Sequence, residues 1–244
     1  MQKQVYTSIL KNKSKGKKHF AVLIDPDKFE SLQILKLAEE AKVDFIMVGG
    51  SLLTNGNFET CVEKIKKNTN IPVIIFPGNN LQISNKADGI LLLSLISGRN
   101  PDLLIGKHVI AAPMLRSSGL EILPTGYMLI ESGRQTAALY MSNTAPIPGD
   151  KHDIAMCTAM AGEMLGLKLI YMDAGSGAQN CVSEKMIEQV SKHIAIPLIV
   201  GGGINTPGKA IKACKAGADI IVVGNAIEKS KGLLKKIAAA IQTF

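Results

Sequence analysis

The chain of 244 residues combines an aliphatic composition, no tryptophan and a formal net charge of +8. This length permits one large domain with a substantial core, and no apolar run reaches the roughly 20 residues that a membrane-spanning helix needs. Four cysteines without C-x-x-C spacing and four histidines without an H-E-x-x-H pattern exclude the common zinc motifs and a disulfide framework.

Eight apolar runs are continuous along the chain, which predicts strands buried on both faces of a parallel sheet. In order they are Phe20–Ile24, Asp44–Val48, Pro72–Phe76, Gly89–Leu93, Gly126–Glu131, Lys168–Met172, Pro197–Val200 and Asp219–Val223. Helical patterns separate most of them, at Phe29–Ala41, Phe58–Lys67, Asp153–Gly166, Ser183–His193 and Pro207–Ala216. This alternation predicts an α/β fold, a single (β/α)8 TIM barrel over residues 1–244. The least regular connection, Arg99 to Leu123, predicts an irregular segment in place of a helix before the fifth strand.

Glycines follow the seventh and eighth predicted strands, at Gly201-Gly202-Gly203 and at Gly224-Asn225. In this fold the loops after strands 7 and 8 form a phosphate site together with the N-terminus of a short helix. Glycine also lets backbone N–H groups approach an anion closely. We therefore expect Gly202, Gly203, Gly224 and Asn225 to bind a phosphate group.

An acid and a phenol accompany the glycines after the sixth predicted strand. The stretch reads Tyr171, Met172, Asp173, Ala174, Gly175, Ser176 and Gly177. Asp173 can accept hydrogen bonds from hydroxyl groups, and the Gly-Ser-Gly backbone can donate to phosphate. A purely structural turn needs neither the acid nor the phenol, so this stretch predicts a site for a small polyol phosphate.

Asp25 and Ser51 follow the first and second predicted strands. Mg²⁺ takes one or two carboxylates together with substrate phosphates, so both residues are candidate ligands for Mg²⁺ beside a diphosphate. A structural interpretation stays open for each. Asp25-Pro26-Asp27 is also typical of a turn in which Asp27 is an N-cap, and Ser51 is typical of a helix N-cap or a loop.

Two anionic subsites at one barrel mouth, with few histidines and cysteines between them, favour a reaction that must stabilise a leaving diphosphate. The competing enzyme hypothesis is a phosphosugar isomerase or aldolase on the same barrel. That chemistry needs a catalytic lysine or a paired acid and base at the strand ends, and a Schiff-base lysine is not evident there.

Lysines cluster at Lys11 to Lys18 and at Lys229 to Lys236. Such runs are most simply a solvated surface, and the alternative is peripheral contact with anionic lipid headgroups or a polyanionic substrate. No interleaved aromatics accompany them, so we expect no nucleic-acid partner. The polar N-terminus lacks the apolar region of a signal peptide, and together with reduced thiols it predicts a cytoplasmic protein.

Motifs spread along the whole chain resemble those of the geranylgeranylglyceryl phosphate synthase family, including its bacterial polyprenylglyceryl phosphate synthase relatives. The matching stretches, in the family's order, are Leu23–Lys28, Val48–Ser51, Ile75–Asn79, Glu121–Tyr127, Ser142–Pro148, Tyr171–Ala178, Gly201–Ile204 and Val223–Asn225.

The resemblance implies an alkyl transfer in which the C3 hydroxyl of sn-glycerol 1-phosphate attacks C1 of a prenyl diphosphate, most simply geranylgeranyl diphosphate. By the same resemblance, Asp25 and Ser51 hold Mg²⁺ on the diphosphate. The Tyr171–Gly177 stretch, Gly202-Gly203 and Gly224-Asn225 bind glycerol 1-phosphate, and Asp173, with Tyr171 beside it, accepts or orients the hydroxyl proton.

This chain departs from the family at Asp173, where the family usually carries glutamate. The acid is one methylene shorter here, and a direct role as general base depends on reach before it depends on pKa. A third hypothesis is therefore a non-catalytic polyprenyl-phosphate-binding protein. The same stretch resembles the family's second group, which tends to form dimers or hexamers, so a homo-oligomer is expected. The helix predicted at Asp153–Gly166 is a candidate for the interface, and the alternative is that it only packs on the barrel.

Overall fold

The computed structural model describes residues 4–55 and 57–244, except for the side chains of Glu228, Lys229 and Lys231. Eight strands in this part of the chain form a closed parallel barrel in which each strand pairs with its sequence neighbour and the last pairs with the first. They are β1 (His19–Ile24), β2 (Phe45–Val48), β3 (Val73–Ile75), β4 (Gly89–Leu95), β5 (Glu121–Leu129), β6 (Leu169–Asp173), β7 (Leu198–Gly201) and β8 (Ile220–Val223). The TIM-barrel prediction is confirmed.

Helices connect most of the strands and cover the outside of the barrel, and α1 precedes the first strand. They are α1 (Val5–Lys13), α2 (Gln33–Glu40), α3 (Phe58–Lys67), α4 (Lys107–Ser118), α5 (Ala137–Ser142), α6 (His152–Met164), α7 (Glu184–His193), α8 (Pro207–Lys215), α9 (Asn225–Lys229) and α10 (Lys231–Ile241). A 3₁₀ turn (Pro26–Lys28) follows β1, and a π-helix (Asp102–Gly106) leads into α4. Within the part of the chain that the structure describes, no helix has both the length and the apolar character needed to cross a membrane.

Alternation along each strand divides the apolar side chains into two layers. On β6, Leu169 and Tyr171 belong to the layer inside the barrel, whereas Ile170 and Met172 belong to the layer between strands and helices. Both layers are buried, which explains why the strands read as continuous apolar runs. The alternation also decides which residues after each strand can reach the barrel mouth.

Helix α1, which precedes β1, covers the N-terminal end of the barrel. Val5 and Ile9 pack against the interior layer, and the Glu121 carboxylate at the start of β5 accepts hydrogen bonds from the backbone N–H groups of Val5 (2.8 Å) and Tyr6 (3.0 Å). An acid at a helix N-terminus satisfies N–H groups that have no partner within the helix. The opposite end of the barrel is left open for a ligand.

The prediction of an irregular segment before the fifth strand is wrong, because the π-helix and α4 occupy most of it. Gly106 and Pro113 interrupt the pattern there, and apolar side chains lie on both sides of α4: Ala111 and Leu115 are buried, whereas Val109 is exposed. A one-sided helical period is therefore absent from the sequence. β5 also begins earlier than predicted, at Glu121, because the backbone ladder runs through Pro124 and Gly126.

Candidate active site

A cavity of about 720 Å³ opens at the carboxyl ends of the strands. This volume lies within the range of small-molecule sites, and the carboxyl end of a TIM barrel is where such sites are found. The cavity brings together the loops that follow β1, β2, β3, β6, β7 and β8, and it also reaches α4. The residues that the sequence singled out are therefore expected to lie around this cavity.

Glycines from three loops meet on one side of this cavity and form what we call the phosphate cup: Gly175–Gly177 after β6, Gly202-Gly203 after β7, and Gly224-Asn225 around the start of α9. A Cβ atom added at Gly202 would lie 2.6 Å from the backbone N of Gly175, and one added at Gly177 would lie 3.8 Å from Asn225 Nδ2. The three loops are thus in contact, as the sequence predicted for a single anion site.

Two residues of the predicted stretch do not line the cavity. Met172 and Ala174 pack in the layer between the barrel and the helices, because the two-residue period of β6 directs Tyr171 and Asp173 inward and their neighbours outward. The side chains of Met172 and Ala174 therefore do not border the cavity, and substrate binding by these two residues stays a prediction. Ser176, by contrast, lines the cavity beside Gly175 and Gly177.

Asp173 lies at the end of β6 with only 6% of its surface exposed. Its Oδ2 accepts a hydrogen bond from the Tyr127 hydroxyl at 2.6 Å, and its Oδ1 accepts one from the backbone N–H of Gly175 at 2.7 Å. Burial raises the pKa of Asp173, and these two donors oppose the rise by favouring the charged form. The result is a buried carboxylate at the cavity wall with one donor on each oxygen.

An aromatic cluster of Phe76, Tyr127 and Tyr171 stands beside this carboxylate. The Phe76 and Tyr171 rings stack with centroids 5.1 Å apart, and Tyr127 meets them edge-on at 5.7 and 5.4 Å. Burial, followed by the nearby charge of Asp173, raises the pKa of both phenols, so both are neutral donors at pH 7. Sequence reasoning missed Tyr127 as a site residue, although a phenol in an otherwise aliphatic strand was a usable signal.

Asp25 and Ser51 line the opposite side of the cavity, as predicted. Asp25 Oδ2 pairs with Lys28 Nζ at 2.7 Å, and Oδ1 accepts from the backbone N–H of Asp27 at 3.1 Å. Gly50, the neighbour of Ser51, lies close, since a Cβ added there would be 3.3 Å from Asp25 Oδ1. The turn that Asp25 caps and its place at the cavity are therefore compatible, and the structural interpretation does not displace the functional one.

Gln82 joins the loops on this side, and the sequence offered no signal for it. Its Oε1 accepts from the backbone N–H groups of Gly50 (3.3 Å) and Gly78 (3.2 Å), while its Nε2 donates to Gly50 O at 2.7 Å. The side chain is 2% exposed. Gln82 thus holds the loop that carries Ser51 against the loop after β3.

No cluster of three or more histidine, cysteine, aspartate or glutamate side chains that could hold a metal occurs in the described parts of the chain. Asp25 and Ser51 therefore offer one carboxylate and one hydroxyl. Such a sparse oxygen set fits Mg²⁺, which retains water and takes most remaining ligands from substrate phosphates. It does not fit zinc, which requires several nitrogen or sulfur ligands from the protein.

An apolar arm extends the cavity away from both polar sides. It runs from the barrel interior past β4 to the space beneath α4, where its lining includes Ile83, Ile90, Leu92, Ala111 and Leu115. The sequence did not predict this arm, because α4 itself was not predicted. A single cavity thus joins the phosphate cup, the polar side that carries Asp25 and Ser51, and the apolar arm.

The family comparison covers nearly the whole chain, since a sequence model of the PcrB family matches residues 11–243. A protein from Chitinophaga pinensis called geranylgeranylglyceryl phosphate synthase is 54% identical over 244 residues, which cover 99% of this chain and 97% of that protein.

Two solved structures are similar to this chain. One is (S)-3-O-geranylgeranylglyceryl phosphate synthase from Thermoplasma acidophilum with its substrate sn-glycerol-1-phosphate, at 34% identity and a TM-score of 0.89, covering 98% of this chain and 99% of that one. The other is wild-type GGGPS from Thermoplasma volcanium, at 38% identity and a TM-score of 0.89, covering 98% of each chain.

Proposed function

Because the chain belongs to the PcrB family, we propose that it is a prenyltransferase that joins sn-glycerol 1-phosphate to geranylgeranyl diphosphate. The family resemblance read from the sequence is confirmed. One observation carries the proposal: a single cavity joins the phosphate cup, the side that carries the Asp25 carboxylate, and the apolar arm. A sugar-phosphate enzyme has no need of the apolar arm.

The phosphate of glycerol 1-phosphate is assigned to the phosphate cup. Backbone N–H groups of Gly177, Gly202 and Gly203 supply donors without a side chain in the way, and Asn225 adds an amide. The N–H of Gly175 is already bound to Asp173. This position holds the glycerol so that its hydroxyl groups extend toward Asp173 and Tyr171. Holding the nucleophile in place supplies a large share of the acceleration.

The chemical step forms a bond between O3 of the glycerol and C1 of the prenyl group, and it breaks the bond from C1 to the diphosphate. The O3 proton goes to the Asp173 carboxylate, which lies at the cavity wall with its two oxygens already oriented by Tyr127 and Gly175. Tyr171 borders the same space and helps to exclude water. Asp173 and Tyr171 are therefore the proposed catalytic residues.

The diphosphate is assigned to the side of Asp25 and Ser51, where these two residues would hold Mg²⁺ and Lys28 adds a positive charge. A bound Mg²⁺ would supply charge neutralisation for the leaving group. The prenyl chain is assigned to the apolar arm beneath α4, whose aliphatic walls favour removal of the chain from water.

Peripheral membrane contact is part of the proposal, because the outer side of α4 is also apolar. Val109, Ile110 and Met114 are each more than half exposed there, as is Ile105 on the preceding π-helix. Their position next to the arm suits uptake of a prenyl diphosphate from a bilayer surface, and the net charge of +8 suits anionic lipids.

The direct test incubates the protein with Mg²⁺, glycerol 1-phosphate and geranylgeranyl diphosphate and analyses the organic phase by mass spectrometry. We expect a prenylglyceryl phosphate ether, and we expect Asp25→Asn to lower kcat/KM roughly a hundredfold through loss of diphosphate stabilisation. Glu188→Gln, which removes an exposed carboxylate on α7, is the matched control. Tight binding of both substrates without any ether, including with longer diphosphates, would identify a binding protein instead.

A further inference from the structure

Tyr127 and Asp173 come from neighbouring strands that the barrel holds in a defined register. Tyr127 on β5 lies opposite Tyr171 on β6, and Leu129 lies opposite Asp173. Tyr127 and Asp173 therefore occupy diagonal positions on the same inward face, a spacing that long side chains can bridge. Their hydrogen bond of 2.6 Å is short, as expected for a donor that meets a charged oxygen.

The phenol also decides which oxygen lone pairs of Asp173 remain available. One lone pair on Oδ2 is used by Tyr127 and one on Oδ1 by the Gly175 N–H, and each ionised oxygen has a further acceptor site. With donors on both oxygens, the carboxyl group cannot rotate without breaking a buried hydrogen bond. The remaining acceptor sites are thus presented in one orientation.

The ring of Tyr127 is itself held in place by its aromatic neighbours. It packs edge-on against both Phe76 and Tyr171, whose rings stack on each other. Tyr127 is only 9% exposed, yet it borders the cavity. A donor on such a rigid support can hold a carboxylate more firmly than one on a mobile loop.

The charged and titratable groups around Asp173 are few. β5 contributes Tyr127 and β6 contributes Tyr171, whereas the β7 residue in register with Asp173 is Gly201. Asp25 and Lys28 line the same cavity on its other side. Burial raises the pKa of Asp173 and so favours its neutral form. The Tyr127 hydroxyl is one of the two nearby donors that oppose this effect and favour the ionised form.

We propose that Tyr127 is a positioning residue that holds the Asp173 carboxylate in one orientation and in its ionised form, so that it can accept a proton from the attacking hydroxyl. The identity of that hydroxyl rests on the proposed prenyl transfer, whereas the hold on Asp173 does not. Tyr127 acts through Asp173 and forms no bond to the reacting atoms.

Tyr127→Phe tests the proposal, since it removes one oxygen and keeps the ring. We expect kcat to fall roughly tenfold while KM for glycerol 1-phosphate changes by less than about twofold, as for the loss of a hydrogen bond to a charged group that acts on the chemical step. The acidic limb of the kcat/KM pH profile should move to higher pH by roughly one unit, because Asp173 without this donor is protonated more readily. An unchanged acidic limb would overturn the proposal.

Two further variants separate positioning from other effects. Tyr6→Phe makes the same chemical change at the far end of the barrel and should leave kcat and the pH profile unchanged. In an Asp173→Asn background the loss due to Tyr127→Phe should disappear, because there is no carboxylate left to position. If the two losses multiply, Tyr127 acts independently of Asp173 and the proposal is wrong.

A titration that needs no turnover keeps the two proposals distinct. With ¹³C-labelled aspartate, the carboxyl signal absent from Asp173→Asn identifies Asp173, and its pKa can be followed by NMR in the wild type and in Tyr127→Phe. We expect the pKa to be higher in the variant. An equal pKa contradicts the role of Tyr127 even if the enzyme is active, whereas a raised pKa supports it even if prenyl transfer is not found.

Discussion

Gly202 illustrates how the phosphate cup depends on positions that carry no side chain. Its φ of +83° lies in the left-handed region, and an added Cβ would lie 2.6 Å from Gly175 N. Two separate reasons thus require glycine: the backbone conformation and the contact between the β6 and β7 loops. Gly119, at the C-terminal end of α4, has a similar φ of +74° but nothing within 4 Å of the added atom.

Gly202→Ala and Gly119→Ala therefore separate strain from contact. We expect Gly119→Ala to lower the free energy of unfolding by about 1–2 kcal/mol through the left-handed conformation alone. Gly202→Ala should lower the free energy of unfolding by more than Gly119→Ala does. It should also weaken glycerol 1-phosphate binding roughly tenfold, because the displaced loops lose hydrogen-bond donors to a charged group. Calorimetric titration and denaturant unfolding measure both effects, and wild-type affinity in Gly202→Ala would contradict the assigned cup.

Helix α4 is the element that most changes the interpretation of this chain. Its inner side, through Ala111 and Leu115, borders the apolar arm, and its outer side exposes Val109 and Ile110 to solvent. Pro113 lies inside the helix and is exposed to solvent. Because proline has no backbone N–H, it cannot donate the backbone hydrogen bond of that turn. The helix is therefore maintained by packing over the arm against unfavourable local chemistry.

Pro113→Ala should raise the free energy of unfolding by about 1–2 kcal/mol, because it restores a helical donor while losing some restriction of the unfolded chain. Pro207, at the first position of α8, is the matched control, since proline is favoured there. Pro207→Ala should leave stability unchanged or slightly reduced. If thermal unfolding shows that both substitutions raise the free energy of unfolding equally, the result would argue against a regular helix at residue 113.

The whole molecule has a second exposed apolar face, on α6, which we call the α6 stripe. Ile154, Cys157, Ala161, Met164 and Leu165 recur there at helical spacing, with Met164 80% and Leu165 79% exposed. An apolar stripe of this kind on a globular protein is typical of an interface with another chain. We propose that the homo-oligomer expected from the sequence forms through a contact between copies at this stripe.

Replacing Met164 and Leu165 together with glutamate should reduce the mass measured by light scattering, because each interface would bring buried charges together. Val109→Glu places one such charge on the exposed side of α4, and it should leave the oligomer intact. Dissociation by Val109→Glu alone would place the interface on α4 instead. A wild-type monomer at all concentrations would contradict the assignment.

Local patterns were sufficient for the strands and for the glycine loops, since each depends on residues close together in sequence. The β6–β8 loops, Asp25 and Ser51 were all predicted to face one mouth, and they do. The prediction was wrong for α4, because this helix carries apolar residues on both sides. Substrate binding by Met172 and Ala174 stays a prediction, since the two-residue period of β6 turns both side chains away from the cavity.

The sequence by itself determined that the chain forms a parallel barrel with glycine loops at its carboxyl end, because strand order, buried runs and glycine positions are local properties. Only the tertiary structure decided that Tyr127 meets Asp173, that Gln82 joins two loops, and that the cavity continues beneath α4. These contacts join residues about 30 to 46 positions apart or different layers of the fold. They depend on strand register and barrel closure, which pair residues that no short sequence window contains.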